Sequence, residues 1–277
     1  MSNNYASPRP IVVKYGGSAL VIPSVGSAAT VVEGRAPDPV LASIASLDAP
    51  VVLVHGGGPE IDRWLAARGV VTQRIEGLRV TDELTLEITE AVLCGTINKQ
   101  LVRNCAAAGL HPVGISGEDA QLLVARPMQN RALQFVGEMT ACNPALLLHL
   151  LGAGYTPVVA PLAIDEDGST ALNVNADLAA AAIAGALQAQ AFVMITNVSR
   201  VLRDVHDPGS AIERMSIDEA RAFAQSDACA GGMKPKMDAA IAAVETGAAA
   251  SYICAPQPIP DTLAGSATII AQQNILT

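Results

Sequence analysis

The sequence predicts an α/β protein: an αβα sandwich on a mainly parallel, open sheet, folded as two lobes. Three observations carry this. Short runs of β-branched and aliphatic residues recur along the chain, and segments with helical spacing separate them. The first two runs stop abruptly at glycines, as strands entering turns do. Apolar residues make up 51% of the 277 and charged ones 16%, enough to cover such a sheet on both faces.

The elements follow in order. The first ten residues read as a flexible lead, and Ile11 to Tyr15 (IVVKY) is a strand stopped by Gly16-Gly17. After a stretch containing Ser, Gly and Pro, Pro39 to Leu47 is a helix. Pro50 to Val54 is the second strand, closed by His55-Gly56-Gly57-Gly58-Pro59, and Glu60 to Arg68 is helical. Strand, crossover helix, parallel strand is the simplest arrangement of these pieces. Asp82 to Leu101 then reads as a helix and His111 to Ser116 as a short strand. Asn143 to Leu151 is a helix with Gly152 and Gly154 as stops, before the buried strand Tyr155 to Ala160. A helix over Asp177 to Leu187 opens from Asn173-Val174-Asn175-Ala176, and Ala191 to Thr196 is the next strand. Helices at Ser216 to Gln225 and Met237 to Gly247 precede a last strand, Ala250 to Cys254. The loop Asp165-Glu166-Asp167-Gly168 is expected to join the lobes, residues 1–171 forming the N-terminal and 172–277 the C-terminal one.

Composition removes several functions. The net charge of −9 leaves no basic stripe for a nucleic acid. The strongest apolar block, Leu178 to Leu187, is about half the ~20 residues of a membrane span. The opening MSNNYASPRP lacks a secretory pattern, so a cytoplasmic protein is expected. Cys94, Cys105, Cys142, Cys229 and Cys254 are odd in number and form no CxxC pair, which reads as free thiols and no metal site. His55, His111, His149 and His206 are dispersed, and no GxSxG elbow is present, so no side-chain nucleophile is expected.

The remaining chemistry suits a polyanion. Ligands of open parallel sheets bind outside the carboxyl ends of the strands, where both glycine clusters fall. Gly16, Gly17, Gly56, Gly57 and Gly58 would let backbone amides approach phosphate oxygens; tight strand-to-helix turns demand the same glycines. Neither cluster matches GxxxxGK[ST] or GxGxxG. Lysines are scarce, numbering Lys14, Lys99, Lys234 and Lys236. Lys14 lies inside an apolar strand, where a cation is costly unless it meets an anion. Lys234 and Lys236 are placed in a loop before a helix, where solvated charge is the plain reading. Arg79 and Asn173, on loops near strand ends, suit a carboxylate and an amide or carbonyl. Asp177 reads first as a helix cap.

In order, these segments resemble the amino acid kinase family, and within it the branch that phosphorylates N-acetyl-L-glutamate. The matching pieces are VVKYGGSA (12–19), VVLVHGGGPEID (51–62), GLRVTDELT (77–85), GTINKQLV (95–102), VGISGEDA (113–120), GYTPVVAPL (154–162), LNVNAD (172–177) and GGMKPKMDAA (231–240). The resemblance implies the fold of carbamate kinase-like proteins and ATP-dependent transfer to the γ-carboxylate of N-acetyl-L-glutamate, within arginine biosynthesis. It implies that Lys14 and Lys236 bracket the transferring phosphoryl group, with Asp177 holding them in register. Amides at Gly16, Gly17, Gly57 and Gly58 would cradle phosphate oxygens, and Gly57, Gly58, Arg79 and Asn173 would hold the acidic substrate. Magnesium would arrive on ATP and not in an all-protein cage.

Two departures from the family pattern stand out. Its nucleotide loop T-D-V-x-G is here Thr196-Asn197-Val198-Ser199-Arg200, and its G-T-G-T is Gly265-Ser266-Ala267-Thr268. Thr196, Asn197, Val198 and Leu202 are still expected to line the nucleotide. T-N-V followed by L-R-D (202–204) resembles sister kinases that phosphorylate carrier-linked α-aminoadipate, the second reading; a non-catalytic sensor of amino acid or nucleotide is the third. With ten residues before Ile11, no N-terminal helix is expected, and so a homodimer in place of a hexameric ring.

Overall fold

A computed structural model of the chain describes residues 8–16, 38–229 and 231–273. Gly17 lies outside them. Strand β1 (Ile11–Tyr15) is followed, past residues 17–37, by helix α1 (Pro39–Ile44) and strand β2 (Val51–His55). Helix α2 (Gly58–Ala66) leads to the hairpin β3 (Arg74–Ile75) and β4 (Leu78–Arg79). One long helical stretch comes next: α3 (Glu83–Glu90), a π-helical segment (Ala91–Ile97) and α4 (Asn98–Ala107). Then come β5 (Pro112–Ser116), β6 (Leu123–Pro127), β7 (Gly137–Cys142), α5 (Ala145–Gly152) and β8 (Thr156–Ala160). A second hairpin, β9 (Leu162–Asp165) and β10 (Ala171–Asn173), precedes α6 (Ala176–Ala186) and β11 (Ala191–Ile195). The chain continues with β12 (Arg214–Ser216), α7 (Ile217–Ala224), α8 (Met233–Glu245), β13 (Ala250–Cys254), α9 (Ile259–Leu263) and β14 (Thr268–Ala271).

Eight strands form one sheet in the order β12-β14-β13-β11-β1-β2-β8-β5. Only β13 and β14 run antiparallel to each other. Continuous apolar strands make this possible, because alternate residues supply opposite faces. Val12, Val52, Val54, Phe192 and Met194 pack with α6 and α8 on one side. Ile11, Val13, Leu53 and Val193 pack with α1 and α4 on the other. The alanine excess has a place too: Ala179, Ala180 and Ala184 of α6 and Ala239, Ala240 and Ala243 of α8 are fully buried in the first of these cores.

From β1 the chain builds outward to β2, β8 and β5, then returns to add β11 on the other side. That reversal opens a crevice at the carboxyl ends of β1, β2 and β11, where ligands of such sheets bind.

Two features depart from the sequence reading. Asp165 to Gly168 is the turn of the β9–β10 hairpin, with Gly168 at φ +73°, and not a joint between lobes. The 171/172 boundary falls within β10. That hairpin, with β6 and β7, forms a four-stranded sheet of order β10-β9-β6-β7 that the sequence did not announce. Strands such as β7 (GEMTAC) carry no apolar run, so periodicity has nothing to detect.

Candidate active site

The site grows from strand β1. Val12 faces the core shared with α6, and Lys14, two residues on, projects to the same side. There its Nζ lies 2.8 Å from Oδ1 of Asp177, at the start of α6. The contact has ion-pair distance but no aligned donor on Oδ1. Lys236 Nζ donates to Oδ2 of the same carboxylate at 2.9 Å. One carboxylate thus separates two ammonium groups, leaving a local charge of +1. Lys14 and Asp177 are nearly inaccessible, 7% and 6% exposed. Burial opposes the Asp177 charge, but Lys14 and Lys236 outweigh it and hold the carboxyl below its ordinary range. Burial lowers the Lys14 pKa, with Lys236 adding to the effect and Asp177 opposing it.

Two sequence assignments change here. Asp177 is not the cap of its helix: Asn175 is, its Oδ1 accepting from Asp177 N at 2.8 Å and Leu178 N at 3.2 Å. Capping by Asn175 frees the Asp177 carboxylate for the lysines. Lys234 and Lys236 are not in a loop, because α8 begins at Met233. Pro235 does not break it, since a first-turn residue needs no intrahelical N–H bond. Lys234 is exposed and pairs with Asp238 along the helix at 3.5 Å.

Beside this trio lies a cavity of about 390 Å³, walled by Gly16, Asn175, Ala176, Thr196 and Asn197 as well as the trio itself. A second cavity of about 180 Å³ adjoins it, lined by Arg74, Arg79, Leu93, Val136 and Asn173. Gly56, Gly57, Gly58, Asn175 and Ala176 belong to both, so a ligand in either meets the same glycine turn. Two helix N-termini, those of α2 and α6, also open here, and both favour negative charge.

Arg79 reaches the smaller cavity from the β3–β4 hairpin. Glu76 (φ 51°) and Gly77 (φ 82°) form its two-residue turn, with the left-handed backbone such a turn demands. The register sets Arg74 opposite Arg79, a repulsive pair unless an anion intervenes. Asp62 of α2 is that anion. It accepts from Arg74 Nη2 at 2.9 Å, from Thr72 Oγ1 at 2.8 Å and from Arg79 Nη1. Arg79 Nη2 donates to Gly58 O at 3.0 Å, fixing the guanidinium plane beside the glycine turn. Asn173 Nδ2 donates to Thr81 Oγ1 at 3.0 Å, and Thr81 Oγ1 donates to Arg79 O at 2.9 Å. Asp62, Arg74, Thr81 and Asn175 received no role from the sequence. The Glu-Gly turn between short apolar pieces was the one available signal.

The glycines divide by cause. A Cβ on Gly16 would lie 2.8 Å from the backbone oxygen of Ile195, so packing demands that glycine, and one on Gly57 would lie 2.4–2.5 Å from the terminal methyls of Ile97 and Leu93, so their side chains would have to repack around it. A Cβ on Gly58 would meet nothing nearer than Arg79 Nη2 at 3.8 Å. No protein contact explains that glycine, and the open space is the cavity itself.

In the nucleotide loop, Thr196 and Asn197 line the larger cavity, while Val198 and Leu202 do not. The two departures from the family pattern meet. Arg200 donates to Gly265 O at 2.7 Å and pairs with Glu213 at 3.0 Å. Thr268 Oγ1 accepts from Val201 N at 2.9 Å and donates to Ile212 O at 2.6 Å. The arginine thus ties together the two segments that the pattern holds with glycines.

The family model described as Amino acid kinase family matches residues 9–255. This chain belongs to the amino acid kinase family. An acetylglutamate kinase of Acaryochloris marina is 40% identical over 245 residues, covering 88% of this chain and 83% of that protein. Another, from Thermoanaerobacter pseudethanolicus, is 40% identical over 248 residues, 89% of this chain and 80% of that one. Among solved structures, a Streptococcus mutans UA159 protein superposes with TM-score 0.78 at 25% identity, covering 95% of this chain and 98% of its own. The fold expected from the sequence is therefore the fold this amino acid kinase has.

Proposed function

We propose that this amino acid kinase phosphorylates the γ-carboxylate of N-acetyl-L-glutamate with ATP, giving N-acetylglutamyl 5-phosphate for arginine biosynthesis. The observation that carries the reading is the Lys14–Asp177–Lys236 trio beside one cavity, sharing the Gly56–Gly58 turn with a second cavity that holds Arg79 and Asn173. The acetylglutamate kinases that match most of the chain support the choice of acid.

The chemistry is positioning plus charge stabilisation. The acid lies in the smaller cavity with its α-carboxylate on Arg79 and its amide group near Asn173. ATP lies in the larger one, its phosphates toward Lys14, Lys236 and the amides of Gly16, Gly57 and Gly58. A γ-carboxylate oxygen attacks the γ-phosphorus in line, the bond to the β-phosphate oxygen breaks, and ADP leaves with that electron pair. The two lysines neutralise charge on the moving phosphoryl group, and Asp177 keeps them apart and charged. Among the described residues no cluster of three His, Cys, Asp or Glu is placed to hold a metal. Magnesium in this reading comes on the nucleotide, held by phosphate oxygens and water.

Residues 1–171 are assigned to acid binding and dimerisation and 172–277 to the nucleotide, except that β10 as a whole, Asn173 included, pairs with β9 and goes with the acid-binding part. The working form in this reading is a homodimer in the cytoplasm. Separately, no helix among the described residues is long and apolar enough to cross a membrane. A hydroxylamine trap for acyl phosphate tests the substrate, using ATP, magnesium and N-acetyl-L-glutamate, glutamate or α-aminoadipate. Hydroxamate with N-acetyl-L-glutamate alone supports the reading. Binding of ATP without product points to a carrier-linked acid, and no binding of ATP to a sensor.

A further inference from the structure

His55 is fully buried at the carboxyl end of β2 and belongs to neither cavity wall, yet it makes two directed hydrogen bonds. Its Nδ1 lies 3.0 Å from Gly56 O, and a carbonyl only accepts, so Nδ1 carries the proton. Its Nε2 therefore accepts from Asn98 Nδ2, at 3.3 Å. Burial pushes the imidazole pKa down to about 4, which keeps this neutral tautomer across the working pH range. Asn98, at the junction of the π-helical segment and α4, has two amide hydrogens: one goes to Val158 O at 2.8 Å, and the other is shared between His55 Nε2 and Ile115 O, both at 3.3 Å. The imidazole is thereby braced against β8 and β5, the far side of the sheet from the reacting groups.

The consequence falls on one peptide. Gly56 N donates to Tyr15 O at 3.0 Å, which anchors the preceding peptide, and His55 holds Gly56 O, so the plane between Gly56 and Gly57 is set by its hydrogen bond to the imidazole. In a trans peptide the N–H points opposite to the carbonyl. The Gly57 N–H is thus turned away from His55, and no acceptor among the described residues takes it. Leu93 and Ile97, from the same helical stretch as Asn98, fill the place of a Gly57 Cβ and press the turn from the other side.

We infer that His55, braced by Asn98, is a positioning residue that aims the Gly57 N–H at the phosphoryl group during transfer. The inference rests on the kinase reading above but not on which acid is phosphorylated. His55 touches no reactant; it acts through the direction of one backbone donor. Removing such a donor from a transition state costs roughly 100–1,000-fold in rate, so misdirecting it should cost about 30-fold.

Two substitutions of similar size separate this from mere packing. His55→Asn keeps an N–H where Nδ1 stood and can still hold Gly56 O. His55→Gln places its amide where Nε2 stood, keeps Asn98 and releases Gly56 O. With melting temperatures of both variants recorded, His55→Gln is expected to lose about 30-fold in kcat with KM for both substrates within about threefold, and His55→Asn to keep most of kcat. Equal losses in the two variants, or losses that track melting temperature, overturn the inference. A reading that needs neither variant nor acid uses the wild-type chain labelled with [15N]glycine and titrated with magnesium and AMP-PNP. The Gly57 amide proton is expected to shift downfield on binding, and an unmoved resonance overturns the inference as well. A moving Gly57 resonance in a chain that makes no hydroxamate from N-acetyl-L-glutamate removes the substrate assignment alone.

Discussion

At the scale of single residues, the site places charge where water cannot screen it. Lys14 lies below its ordinary pKa of 10.5 because burial disfavours its charge and Lys236 repels it, while Asp177 works the other way. Activity needs the ammonium, so kcat/KM for ATP, which reports the free enzyme, should fall as pH rises through the lowered Lys14 pKa, earlier than a free lysine would allow. Asp177→Asn deletes the one group that raises this pKa, and the alkaline limb of its residual kcat/KM should move to lower pH. A pH–rate profile of the two proteins decides it; an unmoved limb would mean that Lys14 is not the group titrating. Asp177 itself is shifted down from 3.8, so its stabilising pairing is present above that value and lost as pH falls through the lower, folded one. At the other cavity, Arg79→Lys keeps a charge but loses the fork that spans Asp62 and Gly58 O. KM for the acid should rise about tenfold with a smaller change in kcat, as expected when a charge-assisted bond to a carboxylate is lost. Steady-state kinetics with the acid varied would reveal it, and an unchanged KM would place the carboxylate clamp elsewhere.

At the scale of elements, neighbouring glycines in one turn should fail in different ways. Gly57→Ala drives a Cβ to within 2.4–2.5 Å of the terminal methyls of Ile97 and Leu93, both buried, so these side chains must repack to admit it. Both melting temperature and kcat should drop. Gly58→Ala has room in the protein and improves the helix propensity of the first α2 turn, so its melting temperature should hold. Its methyl occupies ligand space, and kcat/KM should fall about tenfold or more by the usual cost of a misplaced reactant. Thermal melts beside kinetics separate the two; a destabilised Gly58→Ala would mean its space is not free. From sequence, HGGGP reads as one cluster with one purpose. Its strand and helix were legible because VVLVH is uniformly apolar and EIDRWLAAR has helical spacing. The cause of each glycine was not, because Leu93 and Ile97 lie some 35 to 40 residues away along the chain. The π-helical segment over Ala91–Ile97 likewise has no sequence signature, since its residues suit an ordinary helix. The start of α8 was read as Met237, four residues late, because Pro235 looks like a breaker and is harmless in a first turn.

For the whole molecule, the catalytic groups come from strands and helices added on both sides of β1, and the two cavities share one wall. Lys14 and the Gly56–Gly58 turn come from one half of the chain, Asp177 and Lys236 from the other. The strands that carry them were legible, but bringing Lys236 against Asp177, 59 residues earlier, is the work of the close, alanine-lined packing of α6 on α8. A ligand in either cavity therefore binds only the assembled fold and should stabilise all of it. At about 100 times its dissociation constant, such a ligand adds about 2.7 kcal/mol, or roughly 5–10 °C in melting temperature for a chain of this size. ATP analogue with magnesium and N-acetyl-L-glutamate should each produce that shift when added alone. Lys236→Ala is the discriminating variant, because its lysine is assigned more to charge that develops during transfer than to ground-state binding of the phosphates. Both ligand-induced shifts should persist in it while kcat falls about 100-fold, as for loss of a preorganised charge in a transition state. A variant that keeps its rate but loses the nucleotide-induced shift would reverse the assignment, making Lys236 a binding residue and leaving Lys14 to carry the transfer.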